Sequence, residues 1–298
     1  MCSKLNLFKD RIEEGKLLRE LSTFGIGGPA RYFLEVQTIE EMQEAIAEAA
    51  KATLPYIVIG KGSNCLFDDR GFDGLCILNK INSCSFKESQ VFVGAGYSFS
   101  LLGAQTARKG LSGLEFASGI PASVGGAVYM NAGANGKETS DCLIDVTYVD
   151  DKGDVLVLRK ESLQFSYRYS SFQKMKGAIV CVSFSLTSSL DARQEQLKLI
   201  DYRTKTQPYG DKSAGCVFRN PEDTSAGALI EKCGLKGTKV GGAEVSLLHA
   251  NFIVNKEEAT CSDVLELVDL IKEIVKQKMG VELEMEIRRI PYTFKDDV

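Results

Sequence analysis

Residues 113–134 read GLEFASGIPASVGGAVYMNAGA, so rich in glycine and alanine that the stretch cannot fill a core by itself. Only glycine takes positive φ cheaply, and only a missing Cβ lets main-chain N–H groups approach a phosphate or a flat ring closely. These residue types suit a cradle for a large cofactor, although a run of glycine turns between strands has the same composition. A second glycine stretch, Gly60-Lys61-Gly62-Ser63-Asn64, follows the apolar run at residues 56–59. It has the character of a phosphate nest but lacks the G-x-x-x-x-G-K-[ST] spacing, so ATP-type chemistry gains no support.

His249 is the single histidine of the 298 residues, which removes histidine-rich zinc sites and histidine proton relays. If the chain is an enzyme, carboxylates, Arg, Lys and a hydroxyl or thiol must do the chemistry. His249 itself, in LLHANFIVN beside an apolar run, reads first as a hydrogen-bonded packing residue. The nine cysteines are an odd number without a C-x-x-C pair, the pattern of reduced thiols in a cytoplasmic protein. A net charge of −4 offers no general attraction to nucleic acid or anionic membrane, so an anionic substrate must be held by a few local cations. No apolar run is long enough to span a bilayer.

The elements that must position the two loops alternate in a readable order. Residues 31–36 form a strand, and Thr38 is suited to cap a helix whose Met42, Ala45, Ile46 and Ala49 recur at helical spacing. The strand at 56–59 then delivers the 60–64 loop at its C-terminal end, where loops of α/β units bind ligands. From Gly74 strands dominate, over residues 75–78, 91–93, 146–149, 155–158 and 179–186, with a helix at 101–109. The polar stretch 187–207 predicts a connecting helix, ended by Pro208 and Gly210. Helices follow at 226–233 and 262–279, the second presenting Val264, Leu265, Val268, Ile271, Ile274 and Val275, with Gly280 as its stop.

In register, STFGIGGPA, IGKGSN, GLEFASGIP, VGGAVYMNAG, SYRYSSF, AGCVFRNP, LKG, VGGAEVS, HANFIVN and LEMEIRRI resemble the UDP-N-acetylenolpyruvoylglucosamine reductase family. The compact length resembles its type II subgroup. The resemblance implies an α+β chain: a PCMH or vanillyl-alcohol-oxidase-type FAD-binding domain of two subdomains, residues 1–74 and 75–190, then a C-terminal α+β substrate-binding domain, residues 191–298. It implies non-covalent FAD, NADPH as hydride donor and a nucleotide-sugar substrate of peptidoglycan precursor synthesis. No metal, nucleic acid or membrane insertion is implied, and a monomer is the expected state.

The same resemblance assigns roles. Gly60, Lys61, Gly62, Ser63 and Asn64 would meet the FAD pyrophosphate together with Ser118, Gly119, Ile120, Pro121, Ser123, Gly125 and Gly126, while Asn131, Ala132 and Gly133 would line the ribityl and ring region. Ala122 stands where the family usually has glycine; positive φ there would strain alanine by about 1 kcal/mol. Arg168 matches the active-site arginine that grips the substrate carboxylate, and Glu286 the glutamate that supports the enolate. Cys216 stands where the family usually has the proton-donating serine, and a thiol is the stronger acid. Asn220, Lys236 and Tyr167 match substrate contacts. Two other readings share the cradle: a flavoprotein of this fold acting on a different alcohol or sugar, and a non-catalytic flavin- or nucleotide-binding module.

Overall fold

A computed structural model describes residue 8 and residues 10–293. The chain packs as two compact units that interleave in sequence. Among the described residues, residue 8 and residues 10–14, 32–61 and 74–203 make the first; residues 15–31, 62–73 and 204–293 make the second. Among the described residues no helix is long and apolar enough to cross a membrane.

In the first unit the helix Ile39–Lys51 begins where Thr38 Oγ1 accepts the Glu41 N–H, and it buries Met42, Ala45, Ile46 and Ala49. That stripe packs on Leu34, Val36, Leu75 and Ile77 of a three-stranded sheet ordered Ala30–Val36, Phe72–Asn79, Tyr56–Ile59. The pairing of Tyr56–Ile59 with the middle strand is parallel, so both run toward the same end and the 60–64 loop leaves from it. Val149, Ala178 and Val180 of a second sheet join the same core. This sheet has five strands, ordered Val155–Arg159, Leu143–Asp150, Gly177–Ser185, Gln90–Gly94, Cys84–Lys87, all antiparallel. Val91, Val93, Val146 and Val182 share a core with Phe99 and Leu102 of the helix Phe99–Arg108, and with Val124, Ala127 and Val128 of the short helix Val124–Tyr129.

The second unit is built on the helix Cys261–Met279. A capping box opens it: Thr260 Oγ1 accepts the Asp263 N–H (3.0 Å) and Asp263 Oδ2 accepts the Thr260 N–H (2.9 Å). Asp69 reinforces the same end, accepting from Cys261 N–H (2.7 Å) and Ser262 N–H (3.2 Å). Gly280 closes the helix in the left-handed conformation, φ +71°. Val264, Leu267, Val268, Ile271 and Val275 are buried, and Leu265 and Ile274 pack at the margin. They cover the helix Ala226–Lys232 and a sheet ordered Ser213–Cys216, Phe252–Asn255, Ala243–Val245, Lys239–Val240. Cys65–Phe67 also runs parallel to Arg288–Ile290 in this unit.

Candidate active site

The 60–64 loop has the character of an anion cradle. Gly62 sits in the left-handed region at φ +58°, and a Cβ on it would lie 2.3 Å from the Leu21 carbonyl oxygen. A Cβ on Gly60 would lie 1.9 Å from Ser123 Oγ. Among the described residues the N–H groups of Lys61, Gly62 and Ser63 donate to no protein acceptor. Consecutive unspent N–H groups around a left-handed residue form a nest for an anion. The Lys61 ammonium donates to Ser98 Oγ (2.9 Å), and burial, with Lys80 second, lowers its pKa. Asn64 turns inward instead, its Nδ2 donating to the Glu286 carbonyl (3.3 Å).

The glycine-rich stretch divides its labour. Ser123 caps the helix Val124–Tyr129 by accepting the Gly126 N–H (3.3 Å), while Gly125 N–H donates to the Ala95 carbonyl (2.8 Å) and Ile120 N–H to that of Ala117 (2.9 Å). The expectation that this whole stretch offers main-chain donors is therefore corrected: at Ile120, Gly125 and Gly126 they are already spent inside the protein, and Pro121 has none. Gly119 ends the short helix Glu115–Gly119. What remains open is the Ser118 hydroxyl, buried and without a hydrogen-bond partner among the described residues. A buried orphan hydroxyl is costly unless something else satisfies it. The nest by itself fits the pyrophosphate of a cofactor such as FAD, and the orphan hydroxyl by itself calls for a polar partner of the kind such a cofactor carries. Ala122 is not among the residues at positive φ, so the feared strain is absent.

Asn131, expected against the ring, is spent elsewhere. Fully buried at φ +42°, it donates through Nδ2 to Glu138 Oε2 (2.7 Å) and the Ser166 carbonyl (3.0 Å) and accepts the Ser140 N–H (3.0 Å). Ala132 and Gly133 are likewise tied in, the first to Thr139 and the second opposite Glu138. The bond to Ser166 matters because Phe165–Ser166 and Tyr169–Ser170 form a two-stranded pair whose turn is Tyr167-Arg168. Arg168 holds φ +57°, rare for a side chain of its size, and its guanidinium lies 4.8 Å from the Tyr167 ring centroid. Gln173 Nε2 clamps the turn by donating to the Arg168 carbonyl (3.0 Å) and to that of Tyr129 (3.1 Å). Sequence reasoning passed over Gln173; nothing in SYRYSSF announces it.

In the second unit Cys216, half-buried, ends the strand Ser213–Cys216 opposite Phe252. The next residue, Val217, accepts the Glu286 N–H through its carbonyl (2.7 Å), and Phe218 bridges Met285. The main chains of Cys216 and Glu286 are therefore neighbours despite their separation in sequence. Asn220 Oδ1 accepts the Ala226 N–H (3.1 Å), and Lys236 pairs with Glu231 (2.6 Å), so both gather round the helix Ala226–Lys232. His249 Nδ1 accepts the Asn251 N–H (3.2 Å) and its ring packs edge-on to Phe252 (4.9 Å). Desolvation, with Lys236 next among the causes that lower it, holds the His249 pKa below its ordinary value. It is a packing histidine.

An FAD binding domain model matches residues 30–159, and the model of the UDP-N-acetylenolpyruvoylglucosamine reductase C-terminal domain matches residues 207–290. A protein of Protochlamydia amoebophila with the reductase name is 60% identical over 277 residues, 93% of each chain. The chain belongs to the UDP-N-acetylenolpyruvoylglucosamine reductase family. A Chlamydia muridarum reductase is 48% identical, covering 96% of this chain and 97% of its own. The crystal structure of the Thermus caldophilus reductase superposes with a TM-score of 0.81 at 39% identity, covering 94% of this chain and 99% of the other. The chain is thus an FAD-dependent oxidoreductase, an α+β protein with an FAD-binding domain and the family's C-terminal domain.

Proposed function

We propose that the chain reduces the enolpyruvyl ether of UDP-N-acetylglucosamine to UDP-N-acetylmuramate with NADPH. In this reading residues 1–74 and 75–190 carry the flavin and residues 191–298 the nucleotide sugar. Gly60, Lys61, Gly62 and Ser63 hold the FAD pyrophosphate, and Ser118 answers a polar atom of the cofactor. FAD held there would supply the hydride chemistry, from NADPH to the terminal vinyl carbon of the substrate. That addition leaves an electron pair on the carbon beside the substrate carboxylate. Arg168 grips the carboxylate through paired N–H donors, where the charge develops. Glu286 supports the enolate as a proton-bearing acid, since a bare carboxylate would repel it. Cys216 then gives its thiol proton to the carbanion, forming the new C–H bond, and its thiolate regains a proton from solvent before the next turnover. Asn220 and Lys236 serve the UDP phosphates and Tyr167 the substrate.

The observation that carries this reading is the Glu286 N–H bond to the Val217 carbonyl, which sets the acid-bearing segment beside the end of the thiol-bearing strand, inside two family motifs. The test is anaerobic flavin absorbance. NADPH should bleach the flavin, and only the enolpyruvyl nucleotide should restore it. Reoxidation by unrelated alcohols or sugars instead would point to a different flavoprotein of the fold, and a protein that binds no flavin would defeat the proposal.

A further inference from the structure

We propose that Asn251 is the positioning residue that aims the Cys216 thiol, a role that rests on Cys216 being the acid. The pairing of Ser213–Cys216 with Phe252–Asn255 shifts register between Ser213 and Cys216, and Gly215 within the shift stands at φ +80°. An irregularity of this kind redirects the side chain that follows it. It also leaves the register open to slippage, and a slip of one residue carries a side chain to the opposite face of its strand. A thiol on the wrong face has no proton to offer.

Immediately beyond Cys216, Val217 and Phe218 are held on that side by Asn251. The Asn251 carbonyl accepts the Val217 N–H (2.8 Å), its Oδ1 accepts the Phe218 N–H (2.9 Å), and its Nδ2 donates to the Phe218 carbonyl (2.8 Å). The side chain is 2% exposed, so each of these bonds is made away from water and each loss leaves a buried group unpaired. Asparagine is the residue this demands. Aspartate of the same shape lacks the donor, alanine lacks both groups, and glutamine is one methylene too long. His249 fixes Asn251 in turn by accepting its main-chain N–H (3.2 Å). From the opposite side the Val217 carbonyl takes the Glu286 N–H, so the two residues after the thiol are pinned from both flanks.

The test uses the flavin-loaded full chain carrying Asn251→Ala or Asn251→Asp, with Cys216→Ala as reference. Flavin bleaching by NADPH should keep the parent rate. Return of flavin colour on adding the enolpyruvyl nucleotide should slow about 10- to 100-fold, the scale of a misplacement of about 1 Å. Alkylation of Cys216 by iodoacetamide, read by peptide mass mapping without nucleotide, should change severalfold. Burial raises the pKa of Cys65, Cys84, Cys142 and Cys181, so these half-buried thiols add little background. A variant that melts with the parent and shows parental reoxidation and parental Cys216 alkylation overturns the proposal. If Asn251→Ala does not fold, Asn251→Asp, which keeps the side-chain shape and the acceptor for Phe218 N–H, decides by the same two rates. Should Cys216→Ala reoxidise at the parent rate, the acid reading fails, while the alkylation rate still decides whether Asn251 orients the thiol.

Discussion

Gly60→Ala places a methyl group where the chain leaves no room. Its Cβ would lie 1.9 Å from Ser123 Oγ and 2.8 Å from Ser123 Cβ. Carbon contacts settle near 3.5 Å, so the oxygen must retreat by about 1.6 Å and the carbon by about 0.7 Å. Rotating the Ser123 hydroxyl away abandons the Gly126 N–H and costs about 1 kcal/mol of helix cap. Rotation cannot move Ser123 Cβ, so the main chain at Gly60 must shift as well. The unspent N–H groups of Lys61, Gly62 and Ser63 shift with it, and FAD affinity should fall on the order of 10- to 100-fold, or about 1.4–2.8 kcal/mol.

The assay is an FAD titration followed by flavin fluorescence, with thermal melts as a second measure. Free FAD at about 100 times Kd stabilises by about 2.7 kcal/mol; a roughly 30-fold weaker site at the same concentration keeps about 0.9 kcal/mol. The loss of about 2 kcal/mol lowers Tm of the loaded protein by roughly 3 °C for a chain of this length. Adding Ser123→Gly removes both clashing atoms and should restore most of the affinity. Parental FAD affinity in Gly60→Ala, or no recovery in the double variant, would refute the argument that this contact holds the cradle in place.

Cys216→Ala should slow reoxidation by the nucleotide about 10²- to 10⁴-fold while Cys216→Ser keeps substantial turnover, both read by stopped-flow absorbance; an alanine variant reoxidised at the parent rate removes the thiol from the mechanism. His249 is half-buried, and desolvation first, with Lys236 the next cause that lowers it, holds its pKa below the ordinary value against Glu231, which favours the charge. The unfolded chain therefore binds the proton more readily, and His249 lowers stability as pH falls below about 6.5, with no effect above about 7.5. Melts of the parent and His249→Gln at pH 7.5 and 5.5 should show the parent losing more; equal losses would contradict the sign. Asp69→Ala deprives the first N–H groups of the helix Cys261–Met279 of an acceptor, and urea unfolding should show a loss of about 1–2 kcal/mol.

Much of the framework was legible because it is local. Thr38, Met42, Ala45 and Ile46 lie within one helix, and the capping residue and the buried stripe repeat at intervals that periodicity detects. The helix Cys261–Met279 was legible for the same reason, down to Gly280 as its stop. The register of Cys65–Phe67 beside Arg288–Ile290 was not, since a parallel pair so distant in sequence leaves no periodic trace in either segment. Interleaving of the two compact units follows from pairings of that kind, and composition breaks near residues 74 and 190 carry no record of them.

Glycine density posed a sharper ambiguity, because the sequence shows a missing Cβ without showing what occupies its place. At Gly133 that place is taken by the Lys137 carbonyl, 2.5 Å from an added Cβ, and at Gly125 by Ala95, so those glycines answer to the protein's own packing. At Gly62 the left-handed φ comes with unspent N–H groups on either side, and there the need points to a ligand. The asparagines follow the same logic in reverse. Asn131 and Asn251 both stand in motifs that suggest ligand contact, yet each spends its amide on backbone 35 or 33 residues away, at Ser166 and Phe218. Ser166 adjoins the turn that carries Arg168, and Phe218 lies just past the strand that ends in Cys216. A buried amide can satisfy both its donor and its acceptor only at one geometry, so each asparagine fixes the backbone beside a side chain that the proposed mechanism uses. In the proposed chemistry, motif residues of this kind would act through the backbone they hold rather than through a ligand contact.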